Sequence, residues 1–142
     1  MRLIGYLALS AVLMSASGDP AGASPAATGT WRMENGKVTV RIVPCGPRLC
    51  GNIVALAKPL DKKGRPKRDK ENPNATLRHR PIIGLRILNG MEARGEGKWE
   101  GSIYNADDGN TYSSVMKLRG NEMKVKGCVA FICKSMDFRR VD

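Results

Sequence analysis

Residues 101–118, GSIYNADDGNTYSSVMKL, restrict this chain's options more than any other stretch. Tyr104 and Tyr112 flank a centre of Asn105-Ala106-Asp107-Asp108-Gly109-Asn110. Asp-Gly is a strong hairpin signal, because glycine takes a positive φ without steric cost. On the arms, Trp99 and Ile103 share one face, and Tyr112, Met116 and Leu118 share another. That is a period of two, the signature of a strand with one buried face.

The same pattern recurs along the chain. Val38, Val40 and Ile42 alternate with Lys37, Thr39 and Arg41, and Met123 and Val125 with Glu122, Lys124 and Lys126. Strands are expected at 37–43, 50–57, 81–88, 98–104, 111–119, 122–128 and 135–141, after a first one opening at Gly29-Thr30-Trp31. Turns fall at Glu34-Asn35-Gly36, Pro44-Cys45-Gly46-Pro47, Asn89-Gly90 and Gly120-Asn121, with a loop at 91–97. No segment carries a sustained 3.6-residue stripe. The expected class is all-β: one antiparallel up-and-down barrel of about eight strands, which leaves no exposed edge. Eight strands enclose an interior filled by side chains or holding one small ligand. A two-sheet sandwich is the alternative, since periodicity does not separate the two.

The N-terminus stands apart. Arg2 precedes a mostly apolar run at 3–14, followed by small residues and an A-x-A site at Ala21-Gly22-Ala23. This is the layout of a cleaved secretory signal peptide, 1–23, with a second cleavage candidate at Ser15-Ala16-Ser17. Residues 24–28 read as a disordered leader and 29–142 as the folded domain. No stretch of the mature chain is long and apolar enough to span a bilayer. The expected location is therefore periplasmic or extracellular.

The formal net charge is +11. In an exported protein such a balance favours anionic lipid, polysaccharide or acidic proteins as contacts and argues against nucleic acid. Over half of the charge lies in residues 58–80, with nine basic and three acidic residues. A segment of this length without strand pattern is either a working loop or disordered. Lys62, Lys63, Lys67 and Arg68 are the candidates for docking on an anionic envelope surface.

Four cysteines fall in two identical spacings, Cys45-x4-Cys50 and Cys128-x4-Cys133. Outside the cytosol two disulfides are the default, with three connectivities open and the two local ones favoured. Zinc held by four thiolates is the alternative, against which stand the oxidising compartment and the preference of zinc sites for shorter spacings. If the pairs are local, Val129-Ala130-Phe131-Ile132 sits at a loop tip, where polar residues are normal. The other reading makes this segment core strand.

In sequence the chain resembles the bacterial domain of unknown function family 2147. The resemblance rests on Gly29-x-Trp31, Leu49-Cys50-Gly51-x-Ile53-Val54, Gly64-x-Pro66-x-x-Asp69-x-x-Asn72-Pro73 and Arg80-Pro81-Ile82-x-Gly84-Leu85. It is clearest in Trp99-x-Gly101-x-Ile103-Tyr104-Asn105-x-x-Asp108-Gly109-x-Thr111-Tyr112, and ends in Gly127-Cys128, Cys133-x-Ser135 and Arg140-Val141. Phe138 stands where the family often carries Trp, and Asn105-Ala106 where it often carries Asp-Pro. The resemblance implies a lipocalin-like or calycin-like barrel, an export signal and no established enzymatic activity. In such a barrel the first and last strands are neighbours, so Arg140, or else Arg139, would stack on Trp31.

Catalysis finds little material. His79 is the single histidine, set between Arg78 and Arg80, and no nucleophile, base and orienting acid stand out. Asp107 and Asp108 read as turn residues rather than paired carboxylates. Asp69, Glu71 and Asn72 could ligate calcium, but the surrounding lysines and arginines oppose it. No cofactor and no metal are expected. The leading expectation is a barrel that binds a small apolar or amphipathic ligand near Trp31, Tyr104, Tyr112 and Phe131, with Arg80 as an anion partner. The alternatives are the anionic-surface module above and, last, an enzyme.

Overall fold

The period-two segments become eight strands in the computed structural model, which describes residues 25–142. The expected signal peptide lies outside those residues. The strands are β1 (Gly29–Met33), β2 (Val38–Cys45), β3 (Arg48–Leu56), β4 (Arg86–Ala93), β5 (Lys98–Asn105), β6 (Asn110–Arg119), β7 (Glu122–Val129) and β8 (Ile132–Arg140). Each pairs antiparallel with the next, and β8 pairs with β1, so the sheet closes into a barrel. Closure decides against the sandwich.

Register follows from the hairpin chemistry. The β5–β6 pair runs from Lys98↔Lys117 to Asn105↔Asn110 without a shift, which sets Trp99 opposite Met116 and Ile103 opposite Tyr112. Across the barrel the apolar members of each alternation meet. Trp31, Val40, Ile42, Leu49, Leu88, Met91, Trp99, Ile103, Met116, Met123, Val125 and Phe138 form one buried cluster. Each large side chain removed from water in this way contributes roughly 1.5–3 kcal/mol.

The fourth and last strands differ most from the sequence reading. The fourth strand is Arg86–Ala93 rather than 81–88. Asn89-Gly90 does not turn the chain: Gly90 takes φ 55 inside a bulge, where the β4–β5 register shifts between Asn89 and Glu92. Strand pairing resumes at Glu92, and Met91, expected in a loop, is buried. The last strand starts at Ile132, because pairing continues through Val129↔Ile132 to a two-residue turn. Within the expected disordered leader, Pro25–Ala27 form a short 3-10 turn and Ala27 is fully buried.

That turn belongs to a seal. All odd-numbered strands run toward one end, here called upper, so the chain enters and leaves at the lower end. There the Trp31 indole donates to the carbonyl of Ala27 at 3.0 Å. Trp31 faces Arg140 across the β1–β8 pair, and the guanidinium carbon lies 4.3 Å from the ring centroid. Arg140 also donates to the carbonyls of Thr28, at 2.7 Å, and Ala26. Strand alternation points Arg139 the other way, toward Glu34 and Glu122.

Candidate functional site

The β3–β4 connection occupies the upper end. It is ordered, and its order comes from polar bonds. Asp61 accepts from the backbone of Lys63 and Arg65 at 2.8 and 3.0 Å, folding the 61–65 tip back on itself. Bridges Leu60↔Pro66 and Arg68↔Pro81 make the connection a rough double strand. Ile82 and Leu85 at its far end join Ile53 in a second apolar cluster, flanked by Val38, Leu56, Ile87, Tyr104 and Ala106.

One carboxylate holds this arrangement. Asp69 is fully buried. Its Oδ1 accepts from the Tyr104 hydroxyl at 2.6 Å, and its Oδ2 from Asn72 Nδ2 and Arg80 Nη2, both at 2.8 Å. Burial alone would push the Asp69 carboxyl up. The bonds from Tyr104, Arg80 and Asn72, with the arginine's charge, more than offset that, and the net direction is down. The Tyr104 phenol moves the other way, to about 12, through burial and then through its bond to Asp69. Asp69 and Asn72 thus belong to a structural clasp rather than an oxygen cage, since Asn72 and two other donors saturate the carboxylate, while the exposed Glu71 stands outside it. Among the described residues no His, Cys, Asp and Glu group has the make-up of a metal site.

The β5–β6 turn closes one side. Asn110 N donates to Asp108 Oδ1 at 2.8 Å, and the Tyr112 hydroxyl donates to Asp108 Oδ2. Both hold the Asp108 carboxyl below its ordinary range. Gly109, at φ 73, touches the connection so closely that a Cβ there would overlap the carbonyl oxygen of Glu71. Between turn, connection and barrel wall lies an open cleft of about 570 Å³, lined by Asn72, Pro73, Arg80, Arg86, Asn89, Tyr104, Gly109 and Thr111.

Of the five expected ligand-binding residues, the structure brings Arg80 and Tyr104 together at this cleft. Tyr112 is half-buried beside it, with its ring against the main core and its hydroxyl on Asp108. Trp31 is at the opposite end and wholly buried, because it is the seal. Phe131 stands fully exposed on the β7–β8 tip. Lys62, Lys63, Lys67 and Arg68 are exposed, though Arg68 donates to the carbonyl of His79 at 2.8 Å and so helps brace the connection. The cysteines pair locally, Cys45 with Cys50 and Cys128 with Cys133.

Arg86, Asn89 and Thr111 escaped sequence reasoning. They lie on strands, pointing at the cleft only because the connection folds over them, and nothing in a two-residue period signals that. Arg86 has no ion pair or side-chain hydrogen bond among the described residues. Arg80 Nε is buried without an acceptor.

The barrel is similar to a solved protein from the human pathogen Helicobacter pylori that is described as belonging to the lipocalin family. The TM-score is 0.70 at 20% identity, over 81% of this chain and 82% of that one. At such identity the likeness establishes a lipocalin-like fold. No curated protein matches the chain. Residues 29–140 match the model of the family described as "Uncharacterized protein conserved in bacteria (DUF2147)", and the chain belongs to that family.

Proposed function

We propose that this is an exported, non-catalytic barrel that holds a small amphipathic anion in the cleft at its upper end. The observation that carries this reading is the two arginines that line the cleft from facing sides: Arg80 on the connection, held by Asp69, and Arg86 on β4, which has no ion pair or side-chain hydrogen bond among the described residues. A guanidinium left unpaired near an aromatic ring, with a second one already fixed in place, suits a carboxylate, sulfate or phosphate with a short apolar body. Pro73 and Tyr104 offer the apolar contact. The main cluster sets large buried side chains, Trp31, Trp99, Leu49, Met91 and Met116 among them, inside the barrel, which favours the rim over the centre as the site.

The cleft lining contains no histidine, cysteine or ionised carboxylate, and the Tyr104 phenol is held protonated. A ready general base is missing from that wall, which supports binding over turnover. Export is supported by the leader layout and by two disulfides in so small a domain.

Calorimetric titration with medium-chain fatty acids, alkyl phosphates and the matching neutral alcohols tests the reading. The acids and phosphates bind, the alcohols bind at least about tenfold more weakly, and Arg86→Gln removes most of that difference. Equal affinity for acids and alcohols, or for the variant and the parent, would refute it.

A second reading has its own observation. Lys62, Lys63 and Lys67 are exposed on an ordered connection and carry no carboxylate partner among the described residues. A fixed array of free ammonium groups supports docking on an anionic envelope surface. Binding to such a surface should weaken with salt and on Lys62→Gln, Lys63→Gln and Lys67→Gln together.

A further inference from the structure

We infer that the β7–β8 hairpin is a wedge that seats the upper end of the barrel on an anionic lipid bilayer. At its tip Val129 is 58%, Phe131 101% and Ile132 80% exposed. Isolated exposed apolar residues are ordinary; three within four positions, on a projecting hairpin, are not. The fold gains nothing from them. The turn itself, Ala130-Phe131, has no Gly, Asn or Asp, and Ala130 is forced to φ 50, a conformation costly to any side chain with a Cβ. A tip meant only to reverse the chain would have the usual turn residues. Here the Cys128–Cys133 disulfide, across directly opposed residues, holds the reversal that the turn sequence does not favour.

Charge decides what the tip meets. From residue 123 to 136 there is no acid, while Lys126 and Lys134 stand just behind the apolar residues and form no ion pair among the described residues. At a strand rise of about 3.3 Å per residue, Lys134 trails Phe131 by roughly 10 Å. That matches the separation between an apolar group sunk about 5–10 Å into the headgroup–acyl boundary and the lipid phosphates. The connection with Lys62, Lys63 and Lys67 rises from the same end of the barrel. A second copy of this chain fits worse, since tip against tip would set lysines against lysines. The inference shares the loop's charge with the second reading above, but it is carried by the apolar tip.

Vesicle binding tests it, with protein that begins at Ser24 and so contains the whole barrel without the apolar leader. Phe131→Trp places a reporter at the tip, against a constant background from the buried Trp31 and Trp99. Its emission should shift to the blue with phosphatidylglycerol-containing vesicles, barely with pure phosphatidylcholine, and be quenched by lipids brominated in the acyl chain. The double change Phe131→Ser and Ile132→Ser should weaken binding at least about tenfold while circular dichroism stays unchanged. Lys126→Gln and Lys134→Gln should each cost about fivefold. Binding to phosphatidylglycerol vesicles without quenching would leave the charged-loop reading standing and overturn the wedge. So would a serine variant that binds like the parent. A dimer in sedimentation that Phe131→Ser dissolves, with no vesicle binding, would assign the tip to a second copy. Arg86→Gln should leave all of these results unchanged, which separates this proposal from the cleft.

Discussion

The Cys45–Cys50 hairpin at the lower end and the Cys128–Cys133 hairpin at the upper end close loops of equal length, with opposite surroundings. In the first, Gly46 takes φ 60 next to Pro47, and Leu49 and Cys50 are buried. In the second, Ala130 takes the strained φ, and Phe131 and Ile132 face water. The lower clip joins a turn that its own residues already favour, with Leu49 and Cys50 behind it turned into the core. The upper clip holds a turn its residues resist, on an end that displays side chains. The rest of each end agrees: below, Trp31 and Arg140 exclude water; above, polar bonds around Asp69 order a connection whose Lys62, Lys63 and Lys67 have no ion-pair partner among the described residues. One end is organised for stability, and the other spends order on display.

If the lower end is the keystone, Trp31→Ala should have the largest effect of any change considered. Removing a fully buried indole costs about 3–5 kcal/mol, read as a fall in the urea midpoint. Loss of less than about 1 kcal/mol, within the range of an ordinary surface change, would mean that the seal is ornamental.

The upper end should fail locally and not globally. Asp69→Asn keeps the shape but gives up the charge that answers Arg80, at a cost of about 1–3 kcal/mol. Amide exchange should rise across residues 58–85 and stay slow in β1 and β8; an even rise everywhere would erase the contrast between the ends. The same clasp sets a pH window. The Asp69 carboxyl is lowered on folding, so its stabilisation is present above the ordinary value of 3.8 and is lost as pH falls through the folded value below that. The Tyr104 phenol is raised from 10.0 to about 12, so its contribution is complete below pH 10.0 and is lost as pH climbs toward 12. Proteolysis within 58–85 should accelerate outside those limits, and Tyr104→Phe should abolish the alkaline limb and shrink the acid one, because its hydroxyl helps hold the Asp69 carboxyl down.

This division also explains what could be read in the residues. Alternation at Val38, Val40 and Ile42, and at Met123 and Val125, was enough to give the strands, because a half-buried strand writes its period directly into sequence. Gly29-x-Trp31 with Arg140 marked the seal, since barrel closure brings the first and last strands together. The cleft was legible only in Arg80 and Tyr104. Its other charged member, Arg86, is placed by the fold of a connection whose order depends on Asp69, thirty-five residues away from Tyr104. A contact across that separation leaves no periodic trace. Asn89-Gly90 failed for a related reason: the dipeptide permits a positive φ, but whether that makes a turn or a bulge is decided by the partner strand.

Replacing each disulfide with a serine pair sharpens the comparison of the two clips. Loop entropy alone predicts about 2 kcal/mol for either, because the loops are equally long. The turn chemistry predicts a difference on top. Without Cys45–Cys50, Gly46-Pro47 should still reverse the chain, and exchange at 46–49 should rise little. Without Cys128–Cys133, amides from 128 to 133 should lose protection outright, and the vesicle-bound blue shift of Phe131→Trp should shrink with them. Equal local losses at the two tips would show that both turns depend on the clip alike.

The smallest effect is the most discriminating, since it depends on sign. Ala130→Gly removes a Cβ from a left-handed residue and should stabilise by about 0.5–1 kcal/mol, despite the added freedom of glycine in the unfolded chain. Gly46→Ala forces a Cβ into the same region of φ at the other clip and should destabilise by a similar or larger amount. Measured as shifts in urea midpoint, the two changes should move in opposite directions. The gain from Ala130→Gly should be larger once Cys128 and Cys133 are serines, because the turn then has to form unaided. If Ala130→Gly instead destabilises in both backgrounds, the upper turn is favoured by its own residues after all. The strain argument for a tip kept apolar against its turn chemistry would then fall, leaving exposure and charge alone behind the wedge.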